Sequence, residues 1–381
     1  MVGGTCWVTQ RSKNATIIEV ARRAGVSSAT AGRVLGDYGY SSPEVQERVR
    51  AAASALGYRP NRLAKGLITG KTQTIGVVVG DIESPFYASV LRGIGDVARR
   101  GGFGVIVTNS DENAELEREA VQLLLEKQVD GLVVSSTFLD KPDHLRDAVA
   151  AGCPVVQFDR IVAGMETDSV VVDNVSVTRS SIAAIIAAGH SRIGILAELG
   201  PDQRDDVGSF VTNADLSSSD VRYHHPSWQR LLGYLEAHRA AGISPDPQLI
   251  RRVAVYSSEA ARKEALDLLT MRNAPSALFT ADGVMSTGVL EATSALKLAI
   301  PGEVSLLCFD DLDWMQFVAQ GITAIAQPAH LIGATAAELL LKRLAGDTAP
   351  FEHRVLAGRL VNRNSIAVHL NRNAPDPAAT V

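Results

Sequence analysis

The sequence predicts a small all-α head built on a helix-turn-helix, followed by an α/β body of two doubly wound parallel-sheet subdomains. Three observations carry that expectation. Apolar residues recur at three-to-four spacing between about positions 15 and 56, whereas short β-branched runs alternate with helical stretches from Thr74 onward. Charge is segregated as well: residues 12 to 71 hold ten Lys or Arg against four Asp or Glu, a net of +6, leaving −11 on the rest of a chain whose total is −5. A basic head can attract phosphate while an acidic body stays off the duplex. At 381 residues the chain is too long for one core, so two or three domains are expected.

In the head, ATIIEVARRAGVSSATAGRVL (15 to 35) places Val20, Ala21 and Ala24 on one helical face, with a turn at Gly25. Ser27 is positioned to cap a second helix whose apolar side is Ala31, Val34 and Leu35. A third helix fits SPEVQERVRAAASALGYRP: Ser42 as cap, Pro43 in the first turn, and Val45, Val49, Ala52, Ala53 and Leu56 as its buried stripe. Two short helices joined through such a turn can place the second in a major groove. There Ser28, Ala29 and Arg33 point outward; Arg33 can donate two hydrogen bonds to a guanine and Ala29 can touch a thymine methyl. Tyr40, Ser42 and the Thr16 hydroxyl suit phosphate, and Ser27 and Thr30 complete the DNA-facing set. The domain is expected over 15–59, preceded by a leader (1–14) that is disordered or the product of an upstream start codon. That leader lacks the plan of a secretory signal.

The segment RPNRLAKGLITGKT carries four cations yet is too short to hold a fold alone. It is expected as a hinge over 60–71 with a marginal helix from Asn61 to Leu67, weakened further by Gly66 and ordered only when DNA or a partner copy supplies contacts. Asn61, Arg62, Ala64, Lys65 and Leu67 are its candidate DNA contacts.

From Thr74 the runs TIGVVVG, FGVIVTN, DGLVVSS and PVVQFDR alternate with helices. A second series begins after VVVDN: a helix over 174 to 189, strand RIGILAE, helix WQRLLGYLEAHRAAG, strand VAVY, then SALFTA and VSLLCFDD with helices between. Ligands bind such sheets beyond the carboxyl ends of the strands. Asp159 and Arg160 close VVQF, Asp310 and Asp311 close LLCF, and Gln327 follows ITAIA; Arg230 lies at a helix start, with Phe86, Tyr87 and Tyr256 as aromatic candidates. Carboxylates accept hydroxyl protons, a guanidinium donates to ring oxygens and aromatic faces stack on C–H surfaces, a mixture suited to a polyhydroxylated, uncharged ligand. Cys6, Cys153 and Cys308 are odd in number and lack metal-ligand spacing, and His224 and His225 read as loop residues, so no metal or cofactor is expected. No apolar run approaches the ~18 residues of a membrane span.

These segments, in this order, resemble the lactose/galactose-repressor (LacI/GalR) family of transcriptional regulators across nearly the whole chain. The carrying motifs are TIIEVARRAGVSSATAGRVL, LGYRPNRLAKGL, TIGVVVGDIESPFY, GLVVSS, VVQFDR, GHSRIGIL, CFDD and AIAQP. The resemblance implies a periplasmic-binding-protein-like body over 72–370, with crossovers near 172–174, 326–328 and 346–352 and a tail over 371–381. It implies a cytoplasmic, nucleoid-associated homodimer that reads a pseudo-palindromic operator and is released by a small effector, a sugar or sugar derivative. Corepression is the alternative. Paired hinges would press Leu67 into the minor groove. Asp159, Arg230 and Asp310 match effector-binding positions one by one; Gln327 and Tyr256 match more loosely, and Asp282 matches a helix cap. The chain departs from the family at Ala31-Gly32, Ser84 and Ala281, and in a stretch between Gly200 and Arg230 that is about twenty residues longer than usual. A periplasmic sugar-binding protein would lack residues 15 to 67, and a glycosidase reading of Asp159 and Asp310 finds no other catalytic motif beside it.

Overall fold

The computed structural model describes residues 15–36, 39–58, 71–137, 142–200, 207–213 and 224–369. The leader, the tail and the hinge candidates Asn61, Arg62, Ala64, Lys65 and Leu67 lie outside the described residues. The chain divides into two compact units, Met1–Gln73 and Thr74–Val381.

In the first unit, α1 (Ile17–Ala24) opens with a reciprocal cap: the Glu19 amide donates to the Thr16 hydroxyl at 3.3 Å, and the Thr16 amide donates to the Glu19 carboxylate at 2.7 Å. Gly25 ends it at φ 66°, a left-handed conformation that glycine adopts without a Cβ penalty. Ser27 accepts from the Thr30 amide at 3.1 Å and so starts α2 (Ser28–Gly36). Ser42 stands at the cap position of α3 (Pro43–Ala55) but bonds no helix amide. The expected cap is thus absent, because its hydroxyl turns to the Glu44 carboxylate and holds that group below the usual range. Val20, Ala21, Ala24, Ala31, Val34, Val49, Ala52 and Ala53 form the shared core.

The second unit holds two lobes. The first alternates β1 (Thr74–Val79), α4 (Pro85–Arg100), β2 (Gly104–Asn109), α5 (Ala114–Glu126), β3 (Gly131–Val134), α6 (Asp143–Ala150), β4 (Val155–Phe158) and β5 (Asp168–Val172). The chain then crosses to α7 (Asn174–Ala187), β6 (Ile193–Ala197), α8 (Val207–Asn213), α9 (Pro226–Ala240), β7 (Ile250–Arg252), α10 (Ser258–Leu269), β8 (Ala277–Thr280), α11 (Gly283–Leu296), β9 (Ser305–Phe309) and β10 (Thr323–Ala326). It returns to the first lobe with α12 (Ala329–Leu344) and β11 (His353–Leu356), and ends in the second with β12 (Arg359–Val361). The sheet orders are β11-β5-β4-β3-β1-β2 and β12-β10-β9-β8-β6-β7, parallel throughout except where β12 meets β10.

Two expectations are corrected here. The strand read at VAVY lies three residues earlier, at Ile250–Arg252; the Val253 amide still donates to the Ala197 carbonyl at 2.9 Å before the chain leaves the sheet. The third crossing lies between Leu356 and Arg359 rather than near 346–352, because His353–Leu356 first pairs in parallel with Ser169–Val172.

Helices α4 and α12 meet backbone to backbone. A Cβ on Gly93 would overlap the His330 carbonyl oxygen, and one on Gly333 would overlap that of Val90, so only hydrogen fits at either position.

Candidate effector cleft and DNA-reading surface

On the head, Ser27, Ser28, Ala29 and Arg33 are exposed along one side of α2, opposite the buried Ala31 and Val34. Thr30 joins them through hydrogen bonds: its hydroxyl lies 2.9 Å from that of Ser27 and accepts from Arg33 Nη2 at 3.3 Å. Tyr40 is 89% exposed, and the Thr16 hydroxyl, engaged in its cap, sits at the amino end of α1 where helix amides attract anions. The exposed donors and the Arg33 cation thus share one side of α2.

In the body, the carboxyl ends of the strands open into a cleft between the lobes. All eight body candidates line it: Phe86 and Tyr87 from the first turn of α4, Asp159 and Arg160 after β4, Arg230 from α9, Tyr256 from the loop after β7, Asp310 after β9 and Gln327 after β10. Asp159 and Asp310 occupy equivalent places in the two lobes. Each follows the last residue of a central strand, each donates its amide to the neighbouring strand (to Val170 at 3.0 Å and Ile325 at 2.9 Å), and each is left-handed, at φ 65° and 71°. Aspartate tolerates that conformation better than most side chains.

Most of the polar groups are held in place. Arg160 forms a two-pronged pair with Glu112, one contact at 2.9 Å, while its buried Nε has no hydrogen-bond partner among the described residues. Arg230 donates from Nε to Asn174 at 3.0 Å and from Nη1 to the Ala281 carbonyl at 2.5 Å, with its guanidinium carbon 3.7 Å from the centre of the Phe309 ring. Tyr87 shares a 3.0 Å hydrogen bond with Ser135. Gln327 donates to Asp310 at 2.6 Å, leaving its Oε1 buried without a partner.

Four further residues belong to the same wall. Glu112, Glu198, His225 and Asp282 all line it. Burial, reinforced by Glu112 and Asp282, pushes the Glu198 carboxyl up to about 7; burial likewise raises Asp282 to about 6, although Asp282 also caps α11 by accepting from the Val284 and Met285 amides. His225, expected as a loop residue, is instead the buried cap of α9, accepting from the Ser227 amide at 3.3 Å; burial and the nearby Arg160, Arg230 and Arg252 keep it neutral. Glu198 directly follows β6, so the strand-end rule that finds Asp159 and Asp310 also reaches it. Glu112 carries no such mark, since it lies three residues past β2 in a turn.

Five carboxylates thus face two guanidiniums, both already bonded, which disfavours an anionic ligand. The wall encloses about 60 Å³, well under the ~300–1,000 Å³ of ligand pockets, so the lobes or side chains must part to admit a ligand. No group of residues able to hold a metal occurs among the described residues.

Comparison with known proteins agrees with this layout. Residues 16–61 match the model of bacterial regulatory proteins of the lacI family, and residues 182–366 match a periplasmic binding protein-like domain. The transcriptional repressor CytR of Escherichia coli is 30% identical over 351 residues, covering 92% of this chain and 96% of CytR. The chain belongs to the lacI family. PtxS of Pseudomonas aeruginosa, a transcriptional regulator, is 31% identical over 92% of the chain. Among solved structures, the Lac repressor dimer bound to operator and an anti-inducer superposes with a TM-score of 0.77 at 25% identity, covering 93% of this chain and 100% of that one. A complex of the regulator CelR with cellobiose gives 0.64 at 26% identity, covering 92% of this chain and 100% of that one. The family member described here is therefore a DNA-binding transcriptional regulator and not an enzyme. No helix among the described residues is long and apolar enough to cross a membrane.

Proposed function

We propose that this protein is a cytoplasmic, nucleoid-associated homodimeric repressor released from a pseudo-palindromic operator by an uncharged sugar or sugar derivative. The observation that carries the reading is the convergence of Asp159 and Asp310, one from each lobe, on a cleft that also holds Arg230 and the aromatic faces of Phe86, Tyr87 and Tyr256. Hydroxyls of the ligand would bond the two carboxylates at once, so its affinity depends on the lobe angle. That dependence is what a switch needs: a ligand moves an equilibrium only by its differential affinity for two arrangements, and passing from 1:99 to 99:1 takes about 5.5 kcal/mol. In the head, Arg33 and Ala29 read bases, while Thr16, Ser27, Ser28, Thr30, Tyr40 and Ser42 contact the backbone. Asn61, Arg62, Ala64 and Lys65 hold the hinge on the duplex, and Leu67 wedges its minor groove.

The test is a thermal-shift screen of neutral pentoses and hexoses followed by operator release in a mobility-shift titration. Arg230→Ala is expected to keep operator binding and lose release by the sugar that stabilises the wild type. Normal release by that variant would refute the cleft assignment.

A further inference from the structure

The effector cleft has a neighbour. Where the inner chamber encloses about 60 Å³, a second chamber of about 610 Å³ opens on the far side of a wall made by Phe86, Asp310 and Gln327, residues that line both. Its remaining surface includes Trp314, in the short 3-10 turn Asp313–Gln316, together with Asp313 and Arg359. The outer chamber therefore offers the same kinds of group as the inner one, aromatic faces, carboxylates and a guanidinium, with one guanidinium where the inner wall has two. Asp311, also on its surface, is taken up by Arg363 at 2.6 Å, which leaves Asp313 and the shared Asp310 against Arg359, a small negative excess that disfavours an anion.

The shared wall is the informative part. Gln327 spends its amide nitrogen on Asp310 at 2.6 Å and leaves its carbonyl oxygen buried without a partner, an arrangement that costs free energy unless a ligand donor completes it. A donor placed there stands at the boundary between the chambers. The volumes make the same point, because the outer space falls within the ~300–1,000 Å³ of ligand sites and the inner space does not.

We propose that the outer chamber is a second sugar subsite and that the effector is a neutral two-ring glycoside. One ring is held by Asp159, Arg230 and Asp310, the linkage passes Gln327, and the second ring lies against Phe86 and Trp314 with its hydroxyls toward Asp313 and Arg359. This rests on the sugar-effector reading above and adds the size of the ligand and the residues that measure it.

Isothermal titration of the full-length protein with cellobiose, maltose, lactose, sucrose and trehalose, beside glucose, galactose and fructose, tests it. One disaccharide is expected to bind at least about 10-fold more tightly than either of its component sugars. Trp314→Ala should bring that ratio to within about twofold of one, Trp314→Phe should restore most of it, and Arg230→Ala should abolish binding of both sizes. A monosaccharide that matches the best disaccharide, or a ratio that survives Trp314→Ala, overturns the second subsite while leaving the sugar cleft intact. Absence of binding by every sugar in the set overturns both readings.

Discussion

Glu198 gives the sharpest physical test of the cleft, because its burden shows in the ligand-free protein. Burial raises its carboxyl from an ordinary 4.5 to about 7, a difference of about 2.5 units, each worth about 1.4 kcal/mol. The folded state holds the proton more tightly than the unfolded chain, so stability is fully present below pH 4.5 and is lost as pH rises through 7. Glu198 keeps some access to solvent, which screens part of the effect, and a loss on the order of 2 kcal/mol between pH 5 and pH 8 is the working figure. Glu198→Gln removes the titration without changing the shape. Urea or thermal melts of both proteins across that range should show the wild type losing stability relative to the variant, by roughly 4 °C in melting temperature for a body of this size. Asp282, raised to about 6 chiefly by its own burial, titrates in both proteins, so that its burial contribution cancels and only its coupling to Glu198 stays in the difference. Parallel curves for the two proteins would mean that Glu198 is ionised and hydrated in the folded state, and that the cleft is wetter and more open than described.

Two further outcomes follow from the packing and from the head. Gly333→Ala gains helix propensity of up to about 1 kcal/mol, yet its methyl must displace the Val90 carbonyl; a net destabilisation of about 1–3 kcal/mol is expected in melts, and an unchanged or raised melting temperature would contradict the backbone contact. Arg33→Ala should cost about 1–3 kcal/mol of operator binding while leaving affinity for unrelated duplex nearly unaltered; equal losses on both, measured by competition at fixed salt, would place Arg33 on phosphate instead.

The parts of the molecule that were legible in advance share a cause. Helices of the head announce themselves by a 3.6-residue period with a cap at Ser27, and the buried parallel strands by β-branched runs such as VVV and LLCF, whereas the Thr16 cap of α1 is found only in the structure. Residues at the carboxyl ends of those strands then fall into the cleft by topology alone, which is why Asp159, Asp310 and Gln327 meet there although they are far apart in sequence. What was missed lacks that periodicity. Strand β7 carries Arg251 and Arg252 and has three residues, so the apolar pattern that follows it points to a strand farther downstream. Strand β11 is mostly exposed, with His353 and Arg354 at its start, and reads as a linker, which puts the expected third crossing ahead of the observed one. The role of Ser42 depended on a competing acceptor, Glu44, two residues away, and Glu112 depends on a turn that no local pattern marks.

The glycine contact between α4 and α12 has a mechanical consequence. Helix α12 begins two residues after Gln327, on the second strand of chain that joins the lobes, and α4 carries Phe86 and Tyr87 of the cleft wall in its first turn. With carbonyl oxygens of each helix seated where a side chain would otherwise cushion the other, the pair has no slack and should travel as a single plank. A push delivered at Phe86 then reaches the joint between the lobes without being absorbed on the way.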